Sequence, residues 1–388
     1  MKSLREVSGL ELTKGQEKGL QIACERYRDN KPYTVIAGYA GTGKTTLVQF
    51  IIKELKLRDS EVTYIAYTGR AALILRNKGC PNAMTAHKLL YRSEEKPDGT
   101  FVHKPRKKLE GNFKLIVCDE TSMLPQEMID LLLSHRVYVL FLGDNEQLPP
   151  IDGEQAILKY PHVFLTEITR QALDNPIIKM SMDVREGKPF MYGGDKRCRV
   201  IPKEKVSDKL LLGADIIIVG KNVTRHKINE YVRQLKWGDK YTENPIEGDK
   251  CICLKNKWDE VGSDGNPLIN GQLGVLRNIR IQDEPPYGTI LIADFLSDDG
   301  GLYRNLKMDY KLMLTGEPTI NADNWKHFVN WPKLFEFAFG YAVTAHKSQG
   351  SEFNRVLVYD EAFGDIEQRK RWRYTSVTRA AQKLIVAI

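Results

Sequence analysis

Residues 33–56 read YTVIAGYAGTGKTTLVQFIIKELK, and this stretch decides the architecture. It opens on an apolar, β-forming run, turns on Gly38-Tyr39-Ala40-Gly41-Thr42-Gly43, and enters a helix-forming segment at Lys44-Thr45-Thr46. A strand, a glycine-rich turn and a helix N-terminus in that order make a cradle for phosphate. Glycines let backbone N–H groups curl around the oxygens, and the helix dipole favours the negative charge. In such a cradle Lys44 neutralises the outer phosphates and Thr45 binds Mg2+. Gly38, Gly41, Thr42, Gly43, Lys44, Thr45 and Thr46 are therefore expected to contact a nucleotide, with ATP and Mg2+ as the ligands.

Outward from this stretch the chain keeps alternating strand and helix. EVTYIAYT (61–68) leads into GRAALILRNKG, KLIVCDE (114–120) into PQEMIDLLLSH, and RVYVLFLGD (136–144) follows. Near-continuous apolar runs separated by helices predict an α/β fold with a parallel sheet covered on both faces. A second set starts at ADIIIVG (214–220) and resumes with FEFAFGYAV, RVLVYD and KLIVAI, which predicts a second α/β lobe. Between them, residues 246–330 carry strand-like runs without helices, as expected of a small inserted antiparallel β-barrel. Asp98-Gly99 inside 91–108 predicts a β-hairpin insertion. The expected division is 1–165 for the first lobe, 166–245 with 331–388 for the second, and 246–330 for the barrel.

Bulk composition sets the class. At 388 residues the chain is too long for one ordinary core. No apolar run approaches the roughly 18 residues of a membrane span, and MKSLREVSGLELTKGQ lacks the apolar stretch of a secretory signal. A cytoplasmic protein is expected. The six cysteines are scattered without a C-x-x-C, so free thiols in a reducing compartment are expected and not a metal site. A net charge of +8 favours a polyanionic partner without establishing one.

Asp119-Glu120 ends the apolar run LIVC, at the sheet edge where open α/β folds bind ligands. Asp119 is expected to hold the metal through water and Glu120 to activate the attacking water. A bare pair of this kind is as often a solvated turn; the preceding phosphate loop tips the reading. Gln147, in GDNEQLPP (143–150), is placed to bond a γ-phosphate or its water, against the plainer reading of a polar turn. Gln16 could read an adenine edge, or be only a surface amide. Arg170 in LTEITRQ and Arg379 in YTSVTRAA each follow an apolar run and could stabilise transition-state charge, or form surface ion pairs. Thr-Ala-His-Lys occurs twice, at 85–88 and 344–347, each copy opening an expected helix that could grip backbone phosphates.

In order, GYAGTGKTT, AYTGRAA (66–72), TAHKLL, VCDETSM, GDNEQLPP, LTEITRQ, GYAVTAHKSQGSEF and YTSVTRA resemble the motifs of superfamily 1 DNA helicases, nearest the RecD-like and Dda-like branch. The resemblance runs from about residue 12 to the C-terminus. It implies two RecA-like P-loop lobes, ATP hydrolysis coupled to 5′-to-3′ movement on single-stranded DNA, and duplex unwinding. It implies an adenine contact at Gln16, metal and water roles at Asp119 and Glu120, γ-phosphate sensing by Gln147, Arg170 and Arg379, and nucleotide contacts at Gly350 and Glu352. It places Thr68, Gly69, Arg70, Thr85, His87, Thr344, His346 and Ser348 along the DNA, and makes the 91–108 hairpin a strand-separating pin with Phe101 as its wedge. The partners implied are single-stranded DNA and its junctions with duplex, and a single-strand-binding protein or replication and repair factors, for a monomer. Two rival readings stand beside it: a translocase that displaces proteins without efficient unwinding, and a DNA-binding protein switched by nucleotide. RNA as the track is a further alternative, since phosphate grips discriminate sugars poorly.

Overall fold

Val35 and Ile36 are neighbours on one strand, so they point to opposite faces, and both are buried. Each anchors a separate apolar cluster, which is what a sheet covered on two sides requires. The computed structural model describes residues 12–388 except 81, 96–100, 150–155, 170–173, 322–323, 329–330 and 362–363, and omits the side chains of 93–95, 101–103, 258, 325 and 326.

The strands, in chain order, are β1 (Tyr33–Gly38), β2 (Val62–Ala66), β3 (Met84–Thr85), β4 (Tyr91–Glu95), β5 (Phe101–Pro105), β6 (Leu115–Cys118), β7 (Tyr138–Gly143) and β8 (Val163–Leu165). Six of them form one sheet in the order β3-β2-β6-β7-β1-β8. Every pairing in it is parallel. Helices α1 (Lys14–Arg28), α2 (Lys44–Glu54) and α3 (Gly69–Asn77) cover the Ile36 face. Helices α4 (Ala86–Leu90) and α5 (Gln126–Ser134) cover the Val35 face. β4 and β5 pair antiparallel, Tyr91 opposite Pro105 and Glu95 opposite Phe101; the Asp98-Gly99 turn lies outside the described residues.

The remaining strands are β9 (Gly193–Gly194), β10 (Cys198–Ile201), β11 (Ile216–Val219), β12 (Lys250–Cys253), β13 (Lys257–Val261), β14 (Pro267–Leu268), β15 (Leu273–Glu284), β16 (Gly288–Ser297), β17 (Leu302–Met308), β18 (Phe337–Phe339), β19 (Ala342–Thr344), β20 (Phe353–Tyr359) and β21 (Ala380–Ala387). A second six-stranded sheet runs β19-β11-β20-β21-β10-β9, with β11 parallel to both β19 and β20. The stretch expected to be a barrel supplies four strands of an antiparallel sheet, β17-β16-β15-β12-β18, around Phe295, Tyr303 and Phe337; the fifth, β18, comes from the FEFAF run expected in the second lobe and pairs with β12 instead. Its ladder ends at β17 and β18, with one isolated bridge, Met308 to Phe335, beyond it.

The chain packs as two compact units: Met1–Val200 with Gln349–Glu352 and Ala362–Leu384, and Ile201–Ser348 with Phe353–Glu361 and Ile385–Ile388. In the second, a buried ion pair ties the Asn222–Trp237 helix to the antiparallel sheet. Arg233 Nε donates to Asp249 Oδ2 at 3.0 Å, and the Trp237 indole and Tyr341 hydroxyl donate to Asp249 Oδ1 at 2.8 and 3.0 Å. Asp249 is fully buried, so these donors offset what would otherwise be a costly desolvated charge. All six cysteines are free and buried. No helix among the described residues is long and apolar enough to cross a membrane.

Candidate nucleotide and nucleic-acid sites

β6, β7 and β1 are adjacent and parallel, so the segments after their last residues leave the sheet from one edge. Those segments are Asp119-Glu120, Asp144–Leu148 and Tyr39–Thr45. The topology thus gathers three motifs that the sequence spreads over more than a hundred residues.

In the phosphate loop, Gly41 and Gly43 take φ of +79° and +72°, conformations that side chains disfavour. A Cβ on Gly43 would stand 2.5 Å from Gln16 Nε2, so a side chain is excluded there on both counts. Gln16 is buried and does two jobs. Its Oε1 accepts from Thr13 N at 2.9 Å, completing a capping box on α1, and its Nε2 donates to Thr42 O at 3.0 Å. The loop is also held from the other side, where Thr169 N donates to Gly41 O at 3.0 Å. Arg170, the next residue, lies outside the described residues.

At the head of α2 no side chain caps the helix and no acidic residue lies in its first turn. The positive end of the helix is left open for an anion. Lys44 Nζ meanwhile donates to the carbonyls of Gly38 at 2.6 Å and Tyr39 at 3.0 Å. The Thr45 hydroxyl has no hydrogen-bond partner among the described residues, which leaves it available as an oxygen ligand.

Across the edge, Asp119 Oδ1 accepts from Glu120 N at 2.9 Å. Burial first, and the Glu120 charge second, raise the Asp119 pKa above the ordinary carboxylate range, while Lys44 pulls it down. Glu120 sits at φ +49°, an uncommon left-handed conformation for a non-glycine residue. An uncapped helix end, a lysine, a hydroxyl and a desolvated carboxylate suit a phosphate with a hard, oxygen-seeking cation.

Asp144 is 1% exposed. Its Oδ2 accepts the Tyr374 hydroxyl at 2.6 Å and its Oδ1 accepts Glu146 N at 3.1 Å. The same Tyr374 oxygen accepts Ala40 N at 2.9 Å, so one phenol bridges the phosphate loop and the end of β7. Thr375 Oγ1 then accepts Leu148 N at 2.9 Å, and Gln349 Nε2 donates to Leu148 O at 2.7 Å. Gln147, framed by these contacts, has a buried Oε1 without a partner. Arg379 is buried, and its guanidinium donates to Thr375 O, Ser351 O and Thr378 Oγ1 at 3.0, 3.2 and 3.1 Å. Sequence reasoning missed Tyr374 altogether.

Gly350 approaches Thr68, Ala71 and Met123, and Glu352 pairs with Lys78 at 3.0 Å, just past the end of α3. Thr68 caps α3, with Gly69 and Arg70 in its first turn, and Thr85 caps α4. His87 stacks on Tyr91 at 5.2 Å. The two Thr-Ala-His-Lys copies occupy equivalent places. Thr85 ends β3 and Thr344 ends β19; each is an edge strand of its sheet, and a helix follows each. His346 is held below its usual pKa by burial, and Ser348 Oγ donates to Ala345 O at 2.8 Å. Phe101 is in β5, with its side chain outside the described residues.

A family model described as an AAA domain matches residues 11–195, and one described as a UvrD-like helicase C-terminal domain matches 339–387. The ATP-dependent DNA helicase dda of Enterobacteria phage T4 is 30% identical over 440 residues, covering 95% of this chain and 97% of that protein. The ATP-dependent RecD2 DNA helicase of Deinococcus radiodurans is 27% identical over 379 residues, covering 91% of this chain. The chain spans about half of that relative's length (46%). Among solved structures, Pif1 helicase from Bacteroides in complex with ADP-AlF3 and single-stranded DNA has a TM-score of 0.53 at 18% identity, covering 98% of this chain and 93% of that one.

Proposed function

We propose, since the chain belongs to the superfamily 1 helicases of the RecD, Dda and Pif1 type, that it hydrolyses ATP to move along single-stranded DNA and unwind duplex. The observation that carries this reading is the open head of α2, with Lys44 beside it and the Asp119-Glu120 pair leaving the same sheet edge.

Backbone amides of residues 41–46 would take the phosphates and Lys44 their charge, leaving the carbonyls of Gly38 and Tyr39. Thr45 and Asp119 would hold Mg2+, which supplies charge neutralisation at the transferred phosphoryl group. Glu120 orients and deprotonates the attacking water, and Gln147 offers its unpartnered amide oxygen to that water. Gln16 positions the loop through Thr42 and reads the base. Arg170 and Arg379 stabilise the transition-state charge; for Arg379 this requires exchanging one of its present carbonyl partners for phosphate oxygen.

The track contacts fall on Thr68, Gly69, Arg70, Thr85 and His87 in one unit and on Thr344, His346 and Ser348 in the other. Gly350 and Glu352 complete the nucleotide contacts. The β4–β5 hairpin, with Phe101, is the wedge, residues 246–330 form a small barrel-like subdomain, and movement is 5′ to 3′.

The test is ATPase activity with and without single-stranded DNA, then strand displacement on duplexes with a 5′ or a 3′ tail. The reading expects strong stimulation and unwinding from the 5′ tail. Turnover indifferent to DNA would sink it; unwinding from the 3′ tail would reverse the polarity alone.

A further inference from the structure

Tyr39 carries a large ring at the second position of a loop otherwise built, over residues 38–43, from glycine, alanine and threonine. Its backbone is the hub of the turn. The Tyr39 carbonyl accepts from Thr42 N at 3.3 Å, Thr42 Oγ1 at 2.8 Å and Lys44 Nζ at 3.0 Å, and its amide donates to Leu165 O at 3.4 Å. The direction of that one carbonyl therefore sets both the turn through Thr42 and the place where the Lys44 ammonium waits.

The ring itself is held by two neighbours. Phe164, on β8, meets it edge-on with the centroids 5.1 Å apart. The Arg185 guanidinium lies over it, its central carbon 3.7 Å from the ring centroid. Arg185 is the last residue of the Pro176–Arg185 helix, and it forms no ion pair or hydrogen bond among the described residues. The carboxylates beside it in sequence, Asp183 and Glu186, both bond Lys188, at 2.9 and 2.8 Å. Of those whose charge reaches Tyr39, Asp144 accepts the Tyr374 hydroxyl and Glu146 faces Lys370 at 3.6 Å. Burial raises the pKa of the Tyr39 phenol, and the Arg185 charge pulls it back. Just past the helix, Arg373 lies over the Phe190 ring at 5.0 Å, which ties this end to the Ile366–Val377 helix that carries Tyr374.

A planar cation on a half-buried ring is attracted by the ring face and fixes the ring plane, and with it the backbone that bears the ring. We propose that Arg185 is a positioning residue of the phosphate loop: stacked on Tyr39, it holds the Tyr39 carbonyl in the direction that curls the loop and seats Lys44. It acts through the ring and not on phosphate. A nucleotide then meets a cradle already shaped, and the cost of ordering the loop does not fall on binding. Tyr39, Phe164 and Arg185 all belong to the first compact unit, and Arg185 lies outside the motifs legible in the sequence. The assignment rests on the ATP-hydrolysing reading above and adds to it a residue of that same site.

The experiment is equilibrium binding of the fluorescent diphosphate mant-ADP with Mg2+, beside steady-state ATPase on saturating oligo-dT. The set is wild type, R185Q, R185K, Y39L, Y39F and R185Q/Y39L. R185Q is expected to weaken mant-ADP about three- to tenfold and to raise KM for ATP in step, with kcat within about twofold. R185K keeps a cation over the ring and Y39F keeps the ring, so each should bind more tightly than R185Q and Y39L respectively. The double variant should bind no more weakly than either disruptive single one, because both remove the same contact. Should R185Q not fold, R185M keeps the aliphatic stem without the charge and carries the same test. Full additivity in the double variant overturns the proposal, since Arg185 would then act without the ring. So does wild-type affinity in R185Q, or a fall in kcat with KM and mant-ADP binding unchanged, which marks a group acting on the transition state. Failure of the broader reading looks different: wild type itself would neither bind mant-ADP nor turn over ATP.

Discussion

Tyr374 donates its hydroxyl to the Asp144 carboxylate at 2.6 Å and accepts the Ala40 amide at 2.9 Å, so one buried oxygen joins two motifs 104 positions apart in numbering. Replacing it by phenylalanine keeps the ring but leaves the Ala40 amide without its acceptor and Asp144 with one donor fewer. Y374F is expected to lose about 1–3 kcal/mol of stability, the cost of a buried polar group left unmatched. Urea denaturation reads this directly, and a midpoint equal to wild type would show the bridge to be dispensable.

Lys44→Ala removes the only ammonium that bonds the phosphate-loop carbonyls of Gly38 and Tyr39 among the described residues. ATP turnover is expected to fall by at least about a hundredfold, with single-stranded DNA affinity within a few-fold of wild type. Steady-state hydrolysis and a binding titration check the two halves, and hydrolysis near the wild-type rate would remove Lys44 from the site.

Glu120→Gln keeps the shape at that left-handed position and removes the base. Hydrolysis should slow by about 10²- to 10⁴-fold, while Mg-nucleotide still binds. Single-turnover kinetics separates the steps; loss of binding with an intact chemical rate is the outcome that contradicts the assignment.

Much of this edge was legible because its demands fall on residue types. Gly41 and Gly43 need positive φ, and the VIAG and LIVC runs need a sheet buried on both faces. The Tyr374 bridge was not legible, because 230 positions separate its ends from Asp144 and the helix carrying it offers no apolar period. Trp372, Tyr374, Thr375, Ser376 and Val377 are buried almost consecutively there. Gln16 reads from the sequence as a base contact or a surface amide, although Thr13-x-x-Gln16 has the spacing of a capping box. Barrel closure depends on how β17 meets β18, which lies beyond 246–330 in the Phe337–Phe339 segment, and strand spacing does not encode that.

Shortening the β4–β5 hairpin by replacing 94–102 with Asn-Gly keeps Ser93 opposite His103 and supplies a tight turn. Duplex unwinding should fall at least about tenfold, with DNA-stimulated ATPase within about twofold, if interrupted strand separation leaves translocation intact. Undiminished unwinding in a strand-displacement assay would take the wedge away from this hairpin.

Glu61 bonds Arg58 at 3.0 Å and Lys114 at 2.8 Å and accepts the Arg58 amide at 2.9 Å. The hydrogen bonds from Arg58 and Lys114 pull its pKa from 4.5 to about 2. A depressed carboxylate stabilises the fold above its unfolded pKa, and that contribution is lost as pH falls through the folded value. E61Q should therefore melt below wild type at pH 7, and the difference should close between about pH 4.5 and 2. A Tm gap that stays constant over that window contradicts the linkage.

The six sequestered thiols have a practical corollary. Burial pushes Cys24 and Cys80 up to about 11 and Cys118, Cys198 and Cys253 up to about 12, and raises Cys251 as well. Thiolate, not thiol, adds to the maleimide double bond, so the native set is slow to react at neutral pH. One cysteine introduced at exposed Tyr160 and another at exposed Val223 would take fluorophores selectively, without first stripping the chain of its own sulfur. Energy transfer between two such dyes would then follow motion during turnover in an otherwise native background.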